Sequence, residues 1–150
     1  MTLPAIRNFN PGNLEYNPHD PFQGLADPPN DGKWCKFTDP VYGIRAIMVV
    51  LHTIYYVHGL TTPREIITHY APPNENNTEA YIDAVCQWNE WTPDQKLDFT
   101  AAETYIGFAQ AVAIHESGLN PDRPPPAWYE DAVYEKAYSL TPFGQGRSAG

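Results

Sequence analysis

The chain is 150 residues long and carries 9 basic against 18 acidic side chains, a net charge of −9. A hydrophobic fraction of 42% with 13% aromatics excludes a disordered chain and is enough to bury a core without covalent staples. The acidic balance argues against nucleic acid or anionic lipid as a main partner, and leaves neutral or sugar-rich substrates open.

The N-terminus, Met1 to Arg7, lacks an apolar secretion segment, and no apolar run approaches the ~20 residues that span a membrane. The chain is therefore expected to be made in the cytosol, to insert in no membrane, and to be carried by something else if it works outside. Residues 8–38 are dominated by Asn, Pro, Gly and Asp, with apolar side chains isolated except around Trp34 to Phe37. They read as irregular loop with one short hairpin, and a loop of this length in a small domain is often a binding element. Within it, Arg7-Asn8-Phe9-Asn10-Pro11-Gly12-Asn13-Leu14 is a dense turn. Its amides can satisfy their own backbone, or they can line a cleft and bond sugar hydroxyls and N-acetyl groups.

Proline then marks helix starts. Asp39-Pro40, Thr62-Pro63 and Thr92-Pro93 each pair a cap residue with proline at the first helical position. Thr62 with Glu65, Thr92 with Gln95 and Thr100 with Glu103 also have capping-box spacing, and Thr78 is a further cap after the Pro72-Pro73 break. Helices are expected near 40–58, 63–70, 79–89, 101–116 and 128–139, with a short turn near 93–97. The first shows the stripe Ile44, Ile47, Met48, Leu51, Ile54 and Tyr55. Arg45, in its first turns, reads as an ion-pair or hydrogen-bond anchor. Leu119 to Pro126 is a proline-rich connector, and residues 141–150 are expected to form a flexible tail on one domain with its core at about 7–140. The fold class is mainly α: a helical domain with a central apolar helix and a loop-rich lobe beside it.

Helix 101–116 is apolar nearly all round, as suits a helix surrounded by others. Ala102, Tyr105, Ala109, Val112 and Ala113 step along one face, and Glu116 is the next member of that stripe. An acid there meets the negative end of the helix dipole and approaches a core, and both effects favour its neutral form. A carboxyl kept protonated near neutral pH can act as a general acid, which makes Glu116 the first candidate for chemistry. The plain alternative is a frayed helix end in water, with Gly118 as the C-cap. His115 lies about 100° round the helix and need not share the site. Leu119 stands where a zinc HExxH would need its second His. His19, His52, His58, His69 and His115 show no metal-ligand spacing, so no metal or cofactor is expected. Cys35 and Cys86 read as reduced thiols. In Tyr70 to Tyr81, a polar loop ends in the Thr78 cap, and Tyr81 either packs in the core or turns its hydroxyl toward a neighbouring site.

Taken in order, RNFNPGNL (Arg7–Leu14), Gln23-Gly24-Leu25, FTDPVYGIRA (Phe37–Ala46), HGLTTPREIITHYAPPNENNTEAYI (His58–Ile82) and AIHESG (Ala113–Gly118) resemble a family of phage virion-associated proteins, described as virion structural proteins or lysins. The likeness covers roughly residues 7–118. The chain also resembles lysozyme-like peptidoglycan glycosidases, especially flagellar-type glucosaminidases, with their motif order circularly permuted. Those enzymes place Glu-Ser-Gly at the end of a core helix, where this chain has Glu116-Ser117-Gly118.

What this resemblance implies is a peptidoglycan glycosidase, either a lytic transglycosylase or a muramidase or glucosaminidase. Glu116 falls on the general acid and Tyr81 on its supporting tyrosine. Asn10, Asn13, Glu75, Asn76 and Thr78 fall in the substrate cleft, and Glu75 is the one nominee for a second carboxylate. The partner would be the glycan strands of the bacterial wall, reached from a virion or a secretion apparatus. The alternative expectation is a non-catalytic virion or secretion component that keeps the fold and binds glycan or protein.

Overall fold

The computed structural model describes residues 4–74, 76–116 and 129–144. The order is α1 (Pro4–Arg7), β1 (Leu25–Asn30), β2 (Cys35–Phe37), α2 (Pro40–Tyr56), α3 (Pro63–Tyr70), α4 (Thr78–Asn89), α5 (Ala102–Glu116) and α6 (Asp131–Ser139). The architecture is mainly α, as the pattern of caps and stripes predicts.

Local chemistry sets the helix starts. Asp39 accepts from the Val41 N–H at 2.9 Å with Pro40 leading α2. Thr62 accepts from the Glu65 N–H at 3.2 Å, and the Glu65 carboxylate in turn accepts from the Thr62 hydroxyl at 3.1 Å. Two expected caps are placed differently. Asn77, not Thr78, opens α4 by accepting from the Ala80 N–H at 3.2 Å. Thr78 is the first helical residue, and its buried hydroxyl donates to the Ala71 carbonyl at 2.7 Å, tying the end of α3 to the start of α4. Before α5, Asp98 rather than Glu103 answers Thr100, accepting from its N–H at 2.9 Å.

The core forms where the stripes meet. Ile44, Ile47, Met48, Leu51 and Ile54 of α2 join Ile66 and Ile67 of α3, Ile82 and Val85 of α4, and Tyr134 and Tyr138 of α6. Through this cluster runs α5, packed against α2, α4 and α6, with seven of its residues buried from Tyr105 to Ile114. A helix covered by neighbours on three sides has no polar face to spare, which is why its sequence shows no amphipathic stripe.

The loop-rich lobe has a small core of its own, Cys35, Phe37 and Ala46, with Phe22, Leu25 and Tyr42 against it. The expected hairpin is β1 and β2, antiparallel with an irregularity between the Leu25–Phe37 and Asn30–Cys35 pairs. Residues 8–14 run beside β2: Phe37 donates to the Asn8 carbonyl and Cys35 to the Leu14 carbonyl, both at 2.9 Å. Asp31 locks the hairpin turn, accepting from the Trp34 N–H at 2.9 Å and from the Asn8 amide at 2.9 Å, and these bonds hold its carboxyl below the usual range. Both cysteines are buried free thiols, one in each cluster, and burial pushes Cys35 up to about 11.

Two glycines let the lobe lie directly on α2. A Cβ at Gly43 would fall on the carbonyl oxygen of Phe9, and one at Gly12 would come within 2.5 Å of Ile47 and 2.7 Å of the Tyr70 hydroxyl. Arg45, one turn into α2, is the anchor its position suggests: its Nε donates to the Leu140 carbonyl at 3.1 Å, at the C-cap of α6. The end of the chain departs from expectation, because residues 141–144 belong to the folded core. Thr141 is fully buried, its hydroxyl donates to the Tyr138 carbonyl at 2.7 Å, and Phe143 stacks on His52 at 4.1 Å. A polar, proline-bounded stretch looks like a tail in sequence, but these short-range bonds close a turn that covers the aromatic cluster.

In a solvent-exposed helix Gly→Ala stabilises by about 1 kcal/mol. At Gly43 the sign should reverse: Gly43→Ala is expected to lose roughly 1–3 kcal/mol in urea denaturation, because the Phe9 backbone must move. A stabilised Gly43→Ala protein would show that the loop does not rest on α2.

Candidate functional site

The seam between the lobe and the helices opens into a cleft of about 1180 Å³. One wall is loop: Gly12 to Glu15, Asp20 to Gln23, Lys33 and Trp34. The other is one side of α2, from Arg45 to Ile54, continued by His58, the end of α3 at His69 to Ala71, and Asn76. Glu116, the last residue of α5, lines the same cleft.

Glu116 is half-buried, and burial raises its pKa. Two side chains reach the carboxyl and pull the other way, Tyr81 from α4 and Asn13 from the loop, and they offset the burial only in part. Both are donors, and neither brings a positive charge. The acid therefore keeps its proton to higher pH than an ordinary glutamate.

Asn13 gets there through an unusual backbone. Its φ of 52° is left-handed, a region asparagine tolerates better than most residues. The turn before it is fixed by Asn10, which is fully buried. The Asn10 amide donates to the Leu14 carbonyl at 2.9 Å and the Cys35 carbonyl at 3.1 Å, and its oxygen accepts from the Leu14 N–H at 3.0 Å. Tyr70 then pins the next residue, donating to the Gly12 carbonyl at 2.8 Å.

Tyr81 is 1% exposed, and its hydroxyl oxygen is the one buried side-chain polar atom among the described residues that closes no hydrogen bond of good geometry. Burial first, then the neighbouring Tyr70 and Glu116, push its pKa well up, so it remains a donor. A buried hydroxyl that approaches a carboxyl without closing a well-formed bond is costly, and such a group calls for a functional reason.

The sequence candidates thus separate. Glu116, Asn13 and Tyr81 come together, and Asn76 lines the cleft with its amide donating to the Pro72 carbonyl at 3.3 Å. Asn10 and Thr78 do not face the cleft as substrate ligands: both are buried, with their side chains engaged to backbone. Glu75 lies outside the described residues, as do Ser117 and Gly118. The structure adds groups that sequence reasoning did not single out. Glu15 and Asp20 bring two more carboxylates to the cleft, Glu15 sitting 3.5 Å from the Lys33 ammonium. His58 and His69 line it with their rings 4.8 Å apart, and Trp34 contributes an indole under Lys33. No spacing in the sequence could place these loop residues opposite α2. Among the described residues no helix is long and apolar enough to cross a membrane, and no three His, Cys, Asp or Glu side chains are grouped to hold a metal ion.

No family model matches the chain. It is 34% identical over 119 residues to "Protein P5" of Pseudoalteromonas phage PM2, an alignment covering 78% of this chain and 72% of that one.

Two measurements test the geometry. Asn10→Ala would take the side-chain partner from the Leu14 N–H and the Cys35 carbonyl, while the Leu14 carbonyl keeps the Cys35 N–H, and is expected to cost roughly 2–3 kcal/mol in denaturant melts. Asn13→Gly, which keeps the left-handed backbone free of strain, should cost under about 1 kcal/mol. Equal losses would contradict the division between a structural and a cleft-facing asparagine. For Glu116 the sign follows from linkage. Its folded pKa lies above the unfolded value, so the folded form binds the extra proton and loses stability as pH rises between the two. Glu116→Gln carries no such cost. Its stability relative to the native protein should therefore grow as pH rises from the ordinary glutamate pKa through the raised folded one and then level off, by about 1.4 kcal/mol for each unit the folded pKa is raised. A difference that does not change with pH would mean the carboxyl is not perturbed.

Proposed function

This chain belongs to the family of the phage PM2 protein, and on that premise we propose that it is a peptidoglycan glycosidase of lysozyme-like, circularly permuted fold, with Glu116 as its general acid and base. The observation that carries the reading is the Glu116 carboxyl itself, its pKa raised by burial at the wall of a large cleft, with the Tyr81 hydroxyl and the Asn13 amide turned to it. A solvent-facing glutamate would favour the non-catalytic alternative, a virion or secretion component that binds glycan without cutting. Glu116 faces the cleft instead.

In this reading a glycan strand lies along the seam, and Glu116 gives its proton to the glycosidic oxygen as the bond breaks and an oxocarbenium-like centre forms. The conjugate base then takes a proton from the incoming hydroxyl. Tyr81 and Asn13 are donors that steady the carboxylate when it appears, and Asn13, which lines the cleft, also orients an acetamido group beside it. Their bonds favour the ionised form, so they strengthen once Glu116 has given up its proton. Asn76 belongs to the same wall. Glu15 and Asp20 join Glu75 as the carboxylates a two-acid hydrolysis would draw on. A one-acid reaction needs neither, with the sugar's own hydroxyl as nucleophile. The protein would act at the cell wall, delivered by a virion or a secretion apparatus.

Purified peptidoglycan incubated with the protein is expected to release soluble fragments, and mass spectrometry of their ends reports the bond and the mechanism. Anhydro ends indicate the one-acid route, and reducing ends indicate hydrolysis. Glu116→Gln should slow release by roughly 10²–10⁴-fold while staying folded. Because the acid form is the working one, turnover should fall as pH rises through the raised pKa of Glu116. Binding without new ends at high protein concentration would establish the non-catalytic alternative.

A further inference from the structure

His115 precedes the candidate acid, yet its place on α5 turns it toward α4 rather than into the cleft lining. There its imidazole lies on the ring of Tyr81, with centroids 3.9 Å apart and planes inclined by 28°. On another side of Tyr81 stands Tyr70, edge-on at 6.4 Å, itself fixed by its bond to Gly12. Tyr81 is thus braced by one ring stacked on it and one ring edge-on to it, while its hydroxyl approaches Glu116.

The brace matters because, among the described residues, that hydroxyl has only a loose approach to the Glu116 carboxyl and no well-formed hydrogen bond to anchor it. A hydroxyl anchored by good hydrogen bonds aims itself, whereas one without such a bond is aimed only by the packing of its ring. A flat ring over the phenol restrains the tilt that would swing Oη away from the carboxyl. Burial lowers the pKa of His115 and so favours the neutral imidazole in this stack. Among the described residues, the titratable groups tied to it are Tyr81, held protonated and in contact with its ring, and Glu116, the next residue in the chain.

We propose that His115 is a positioning residue for Glu116, acting through Tyr81: its stacked ring holds the tyrosine hydroxyl at the carboxyl. This rests on the reading of Glu116 as the working acid, but its physical content can be measured without turnover.

The experiment compares His115→Ala, His115→Phe, Tyr81→Phe and the pair His115→Ala/Tyr81→Phe in the full chain. The first readout is the Glu116 titration followed by carboxyl carbon NMR. Losing the aimed hydroxyl should raise the Glu116 pKa in His115→Ala and in Tyr81→Phe, leave the double variant no higher than Tyr81→Phe, and leave His115→Phe near the native value. If His115 only fills space, His115→Ala admits water and the pKa moves down, which overturns the proposal. Additive shifts in the double variant overturn it too. The second readout is release of fragments from purified peptidoglycan. His115→Ala should lower kcat roughly ten- to hundredfold with little change in KM, and His115→Phe should restore most of it. A native protein that cuts no peptidoglycan would refute the glycosidase reading while leaving the NMR comparison to decide the role of His115.

Discussion

The arrangement depends on one buried amide. Asn10 has no access to solvent, and a side chain with both donors and acceptors can sit there only if the surrounding backbone answers each of them. The Leu14 N–H and the carbonyls of Leu14 and Cys35 do so. That requirement fixes the turn from residue 10 to residue 14 and welds it to β2. It also places Asn13 at the end of α5 and brings Gly12 under Tyr70. The side chain that never meets a ligand decides where the side chain that faces the acid will be.

The same contacts account for runs of sequence that look like plain motifs. In Asn10-Pro11-Gly12-Asn13, the first asparagine is the fastener, the glycine gives Ile47 and Tyr70 room, and the second asparagine bends back to Glu116. In Gly43-Ile44-Arg45-Ala46, the glycine admits the Phe9 backbone and Ile44 fills the main core. The arginine holds the Leu140 carbonyl, and the alanine fits the lobe's small core. Each motif is a piece of the interface between lobe and helices.

Much of the fold was legible before any coordinates because helix starts are local. Asp39, Thr62 and the proline after each are chemical signals within four residues of what they control. Glu116 was legible for a related reason, as an acid standing at the end of an apolar stripe whose period can be counted. What stayed hidden was set across long stretches of chain. Asn10 and Asn13 have the same side chain in the same turn, and only the backbone of β2 decides which is buried. Thr78 has a good cap sequence, but Asn77 reaches Ala80 first and the Ala71 carbonyl claims the threonine. Glu15, Asp20 and the stack of His115 on Tyr81 carry no periodicity at all.

The distance along the chain between the two sides of the cleft has a consequence for how the site comes into being. Roughly a hundred residues separate Asn13 from Glu116, and loop closure over such a span is an entropic cost that only the finished helical core can offset. A growing or partly folded chain can make α2 and α3 from neighbouring residues while Glu116 is still in water, as an ordinary ionised glutamate. Its pKa rises only when α5 docks and the loop closes on it. The raised pKa of Glu116 is therefore a property of the closed fold rather than of the sequence around it, and it can serve as the reporter of that closure.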